Sequence, residues 1–157
     1  MIKTIEWTGG SVRLLDQTKL PKALEYLNIS TPSRMARAIA EMEVRGAPLI
    51  GVAAAYGMAL SGQQNGGDFA AIERDAEILR AARPTAVNLS WAVDAQLKTA
   101  QKSAKNGQKA VIAALIENAL LIHKEDGAIN SAIGEHLLTL LKPGMGVLTH
   151  CNAGALA

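Results

Sequence analysis

The spacing of apolar and polar positions divides the chain into two parts that differ in predicted secondary structure. In the first thirty residues, short apolar runs alternate with glycine, proline and polar residues, which is typical of hairpin strands, with a third strand near residues 25–28. From Thr31 onward, apolar residues recur at intervals of three and four, which predicts helices. We therefore expect an α+β N-terminal domain, with a small antiparallel sheet over residues 1–30 followed by a helical bundle over residues 31–142.

Five helices are predicted in the bundle from this periodicity and from capping signals. The first should start at the Ser-Thr-Pro segment and end near Val44, and the second should start near Pro48. Asp68 is placed to cap the third, LSWAVDAQLKTAQKSA forms the fourth, and QKAVIAALIENALLIHKED begins the fifth. Gly127 either breaks the fifth helix or only kinks it. In the second helix, small residues such as Gly51 should let a neighbouring backbone approach closely.

The apolar segment VLTH, residues 147–150, is interpreted as a buried strand that carries Cys151 at its end. A single strand leaves its backbone groups unpaired, so this segment is expected to need neighbouring strands. Residues 143–157 are therefore predicted to be the start of a parallel α/β domain whose other strands lie beyond this sequence.

Composition and charge narrow the class of protein. Of the 157 residues 49% are hydrophobic but only 3% are aromatic, so the core must consist mainly of Ala, Leu, Ile and Val. The net charge of +2 is spread without a basic stripe, which argues against a nucleic-acid partner. The longest apolar stretch, residues 47–60, is too short for a membrane span. One cysteine and no signal peptide favour a reduced, cytoplasmic protein.

The segment VRGAPLIG, residues 44–51, is a candidate anion-binding site. Gly46 and Ala47 lie just before a predicted helix N-terminus, where unpaired N–H groups and the helix dipole favour an anion. Arg45 adds a positive charge. The alternative is an ordinary helix–helix turn with a surface arginine.

The segment ARPTAVNL places Arg83 in a second bend, because the following Pro84 disfavours helical geometry at the residue before it. Arg83 is predicted to converge with Arg45 on one anion, the alternative being a solvated loop arginine.

Cys151 in THCNAGALA follows the predicted strand, where ligands of α/β proteins bind, although a buried structural cysteine is the alternative. His123, Glu125 and Asp126 do not have the spacing of a metal site and are interpreted as a solvated helix end, so no metal is expected.

Together, VRGAPLIGVAAAYG, RPTAVNL and THCNAGALA resemble the signature segments of the methylthioribose-1-phosphate isomerase family, and LDQTKLP and INSAIGEH also fit. The resemblance covers essentially the whole chain, as an N-terminal half. It implies an aldose–ketose isomerase of methionine salvage that uses no metal or organic cofactor. It also implies that Arg45, Gly46, Ala47 and Arg83 bind the sugar phosphate and that Cys151 stands beside the reacting carbons.

The same resemblance implies what this sequence does not contain. The family's acid or base aspartate and a Rossmann-like domain lie in a C-terminal half, so this chain alone is expected to be inactive. That half, or a second chain carrying it, is an expected partner, as is a second copy in a homodimer. Ribose-1,5-bisphosphate isomerases and the non-catalytic regulatory subunits of initiation factor two-B share the fold and remain the alternatives.

Overall fold

The structure is a computed structural model that describes residues 2–150 together with Gly154 and Leu156. Three strands, β1 (Ile5–Trp7), β2 (Val12–Leu15) and β3 (Tyr26–Ile29), form an antiparallel sheet in the order β1-β2-β3. The small antiparallel sheet is thus confirmed, with the third strand one residue later than predicted.

In the part of the chain that the structure describes, the helical bundle consists of five α-helices, with a short 3-10 helix at Ala104–Asn106 before the last. The α-helices are α1 (Pro32–Ala40), α2 (Ala47–Gln64), α3 (Phe69–Ala82), α4 (Val87–Ser103) and α5 (Gln108–Leu138). The predicted caps are present: the Thr31 side chain accepts a hydrogen bond from the Arg34 N–H, and the Asp68 side chain accepts one from the Ala71 N–H.

Helix α2 is the centre of the bundle. Every residue from 49 to 62 is buried, and the inward face of the sheet joins the helices in one hydrophobic core. The prediction that small residues of this helix allow close approach is confirmed. A Cβ atom added at Gly51 would lie 3.1 Å from the carbonyl oxygen of Asn88, at the start of α4. Gly51 therefore fixes how closely the first turns of α2 and α4 can pack.

One predicted helix boundary is wrong, and a second, left open at Gly127, is settled by the structure. Helix α1 ends at Ala40 and not near Val44, because Met42 takes a left-handed φ of 58° and the Glu43 N–H donates back to the Ala38 carbonyl. A salt bridge of 2.7 Å between Arg34 and Glu43 holds this turn. Helix α5 runs through residue 127 without a break, so the glycine there does not end it.

The strand expected at residues 147–150 is not formed. Val147 is 64% exposed and Leu148 is 99% exposed, and residues 147–150 take no strand conformation. An apolar sequence alone does not make a strand, because its backbone groups need partners.

Candidate anion-binding site

A cleft of about 400 Å³ lies where the N-termini of α2 and α4 meet. Its walls come from the first residues of both helices and from the bend before α4. The lining residues are Gly46, Ala47, Ile50, Arg83, Thr85, Ala86, Val87 and Asn88.

The local sequence leaves both helix N-termini without a side-chain cap. The N-cap of α2 is Gly46, whose φ of 95° lies in the region that favours glycine, and the N-cap of α4 is Ala86. Neither residue has a side chain that accepts a hydrogen bond, and neither helix has an acidic residue in its first turn. At the cleft, neither a side-chain cap nor an acidic first-turn residue therefore offsets the positive ends of the two helix dipoles.

The polar groups of the cleft are available to a ligand. Within the described part of the chain, the N–H groups of Ala47, Val87 and Asn88 have no hydrogen-bond acceptor. Arg83 is half-buried and has no ion-pair partner among the same residues. A guanidinium group and unpaired amides at two helix N-termini form an arrangement that suits an anion with several oxygen atoms, such as a phosphate.

The structure brings together three of the residues predicted from sequence. Gly46, Ala47 and Arg83 line the same cleft, although the two segments lie far apart in the sequence. Arg45 is exposed and does not line this cleft. Of the two arginines expected to converge, the structure thus brings only Arg83 into the cleft. Cys151 lies outside the described residues.

Sequence reasoning missed Gln17, which connects two segments near the predicted site. Its backbone N–H donates to the Glu43 carbonyl at 2.9 Å, two residues before Arg45. Its side-chain Nε2 donates to the Leu156 carbonyl at 3.1 Å, five residues after Cys151. Gln17 is buried, and a buried amide without a regular element around it needs such partners. The only signal in the sequence was its place in the segment LDQTKLP.

The interpretation of His123 as part of a solvated helix end is wrong. His123 is half-buried, and its Nδ1 lies 2.8 Å from the hydroxyl oxygen of Tyr56, which in turn stacks on Trp7. Burial lowers the pKa of His123, against a smaller opposite effect of the Asp126 carboxylate. Burial, with a contribution from the Glu6 charge, raises the pKa of Tyr56 to about 12. These groups link α2, α5 and the sheet.

Two features are absent from the described residues, a metal-binding cluster and a membrane-spanning helix. No group of three or more His, Cys, Asp or Glu side chains is arranged to hold a metal ion. In the same residues, no helix combines the length and the apolar character that crossing a bilayer requires.

Comparisons with known proteins relate the chain to one family and to several isomerases. The sequence pattern of the initiation factor 2 subunit family matches residues 43–157. The chain is 46% identical over 157 residues to the methylthioribose-1-phosphate isomerase of Thermotoga neapolitana, covering 99% of this chain and 45% of the relative. It is 44% identical over 158 residues to the 5-deoxyribose 1-phosphate isomerase of Bacillus thuringiensis, covering 98% of this chain and 45% of the relative.

The fold is similar to that of a solved protein. The crystal structure of 5-methylthioribose 1-phosphate isomerase from Pyrococcus horikoshii superposes with a TM-score of 0.91 at 34% identity, covering 99% of this chain and 45% of that chain. The chain thus spans a little under half the length of the relatives that it matches.

Proposed function

The chain belongs to the initiation factor 2 subunit family, and from that premise we propose that the complete protein is a sugar-phosphate isomerase of methionine salvage. It converts 5-methylthioribose 1-phosphate into 5-methylthioribulose 1-phosphate. The cleft between the N-termini of α2 and α4 carries this proposal, since it presents Arg83 and uncapped amides to an anion. Isomerase relatives at 44–46% identity support the reaction class.

In this proposal the cleft holds the phosphate group of the substrate. The N–H groups of Ala47, Val87 and Asn88 donate to phosphate oxygens, and Arg83 supplies the full positive charge. Holding the phosphate fixes the position of the sugar C1 and C2 carbons relative to the catalytic groups, which lowers the entropic part of the barrier.

The substrate sets the chemistry that the protein must perform. Because C1 carries the phosphate, the ring cannot open to a free aldehyde. The bond between C1 and the ring oxygen breaks while that oxygen takes a proton from an acid. The hydrogen at C2 moves to C1, and the hydroxyl on C2 loses its proton and becomes the ketone. The hydrogen travels either as a proton through an enediol-type intermediate or as a hydride.

We assign Cys151 to this step, either as a proton shuttle or as a neutral wall beside C1 and C2. Cys151→Ser in the complete protein should lower kcat and leave the midpoint of thermal unfolding unchanged. Unchanged turnover would remove the thiol from the mechanism.

The catalytic acid or base, the compartment and the oligomeric state are proposed for the whole protein. The acid or base is an aspartate of the C-terminal half of the family, so the activity is proposed for a chain that includes that half. We further propose a cytoplasmic homodimer that needs no metal or organic cofactor.

The proposal is tested by following the phosphorus NMR spectrum of 5-methylthioribose 1-phosphate with the purified complete protein. The expected result is conversion of the aldose 1-phosphate signal into that of the ketose 1-phosphate. Ribose 1,5-bisphosphate is assayed in parallel, and faster conversion of that sugar would reassign the substrate.

The family also contains subunits of initiation factor 2, so a non-catalytic subunit is the second candidate. No turnover of either sugar, together with binding to a translation initiation factor, would favour it.

A further inference from the structure

A second, more apolar groove of about 390 Å³ adjoins the anion-binding cleft. Helix α4 contributes Val87 and Trp91 to it, and α5 contributes Ile122 and Ile129. Val87 and Asn88 line both cavities, so the groove begins where the cleft ends. A ligand held by its anionic end in the cleft can therefore extend into the groove.

The exposure of Trp91 marks the groove as a surface suited to an apolar ligand group. Trp91 is 56% exposed, whereas the other tryptophan of the chain, Trp7, stacks on buried Tyr56. Val87 lies one helical turn before Trp91 on the same face and is also exposed. Adjacent apolar side chains around a concave surface are characteristic of ligand sites.

The charges around the two cavities allow only one orientation for an amphipathic ligand. The cleft holds Arg83 and the positive ends of two helices, whereas the groove has the carboxylates of Glu125 and Asp126 in its lining. A phosphate is attracted to the first and repelled by the second. The anionic end of a ligand therefore belongs in the cleft and its uncharged end in the groove.

We infer that this groove receives the substituent on C5 of the sugar 1-phosphate and that Trp91 determines specificity for a thioether there. The inference rests on the proposed function. The two isomerase relatives are named for sugars that differ at this carbon, one with a methylthio group and one without it. A thioether sulfur makes a favourable contact with an aromatic ring, which a 5-deoxy sugar cannot make.

The experiment compares kcat/KM for 5-methylthioribose 1-phosphate and 5-deoxyribose 1-phosphate in the complete protein and in Trp91→Ala. The loss of one apolar contact group should lower kcat/KM for the methylthio sugar by about tenfold. The value for the 5-deoxy sugar should change by less than about threefold, because that sugar leaves the groove empty. Ile78→Ala is the matched control, since Ile78 is a similarly exposed apolar residue on α3 that lines neither cavity.

A second variant separates binding from folding. Val87→Ser lies on the same wall and should shift the ratio of the two kcat/KM values in the same direction as Trp91→Ala, with far-UV circular dichroism unchanged. If both sugars lose activity equally in Trp91→Ala, the groove packs against protein and the inference is overturned. If the wild-type ratio is kept in both variants, the inference is wrong and the isomerase proposal stands. If the wild type isomerises neither sugar, both proposals fall.

Discussion

Replacing Gly51 with alanine tests whether close packing of α2 and α4 builds the anion-binding cleft. The new methyl carbon would lie 3.1 Å from the carbonyl oxygen and 3.3 Å from the Cβ of Asn88. Comfortable carbon contacts lie at about 3.5–4.0 Å. The first turn of α4 must therefore move outward by a few tenths of an ångström. Because Asn88 lines the cleft, that movement changes the distance between the two helix N-termini.

The expected magnitude follows from two opposing effects. Alanine in place of glycine in a helix interior stabilises by about 1 kcal/mol. Overpacking a tight contact costs about 1–3 kcal/mol. The net change for Gly51→Ala is therefore a loss of about 0–2 kcal/mol in the free energy of unfolding. Gly127→Ala is the matched control, since Gly127 lies inside α5 with no heavy atom within 4 Å of an added Cβ, so only the gain applies.

The assay is urea unfolding of this chain followed by far-UV circular dichroism, with affinity for inorganic phosphate measured by titration calorimetry. Gly127→Ala should raise the unfolding midpoint and keep the phosphate affinity. Gly51→Ala should lower the midpoint or leave it unchanged and should weaken phosphate binding. If Gly51→Ala stabilises the chain as much as Gly127→Ala does and binds phosphate as the wild type does, the contact with Asn88 does not shape the cleft.

Three further changes test other parts of the structure. Arg83→Met in the complete protein should raise KM about tenfold or more, because it removes a charge-assisted contact. Arg45→Met should raise KM less and exposed Arg74→Met should leave it unchanged, and equal effects of the first two variants would contradict the cleft geometry. Gln17→Leu removes the hydrogen bond to the Leu156 carbonyl, so proteolysis beyond residue 150 should be about fivefold faster while the unfolding midpoint stays unchanged. An unchanged cleavage rate would show that this hydrogen bond does not protect the segment. Because burial lowers the pKa of His123, the unfolded chain binds more protons below pH ~6.5 than the folded chain does, so the free energy of unfolding should fall on acidification. His123→Gln should flatten this pH dependence between about pH 7 and pH 5, and an unchanged slope would show that other groups cause it.

The sequence predicts those features of the fold that depend on local patterns. The recurrence of apolar residues predicts all five helices, and Asp68 caps α3 because its side chain needs only the Ala71 N–H three residues away. The absence of a side chain at Gly51 also signals a close approach, whichever helix provides the neighbouring backbone. The signal for each of these features lies in one residue or in residues that are near one another in the chain.

Features that depend on distant partners could not be predicted in the same way. The end of α1 depends on the left-handed turn at Met42, which the Arg34–Glu43 salt bridge stabilises. The burial of His123 depends on Tyr56, 67 residues away in the sequence. The strand expected at residues 147–150 is not formed among the described residues, since it would need neighbouring strands from elsewhere in a sheet.

The candidate site contains features of both kinds, some local in the sequence and some that depend on how the helices pack. Each arginine lies shortly before a proline, Pro48 or Pro84, and the sequence also predicts Gly46 just before a helix N-terminus. The direction in which each arginine points depends on how α2 and α4 pack. This is why Arg83 lines the cleft and Arg45 does not.

We propose that the N-termini of α2 and α4, together with Arg83, hold the phosphate of a sugar 1-phosphate. A crystal structure of the complete protein with 5-methylthioribulose 1-phosphate tests it most directly. Phosphate oxygens are expected at hydrogen-bond distance, about 2.7–3.2 Å, from the amide nitrogens of Ala47 and Val87 and from the Arg83 guanidinium. A phosphate bound elsewhere, with this cleft filled by solvent, would contradict it.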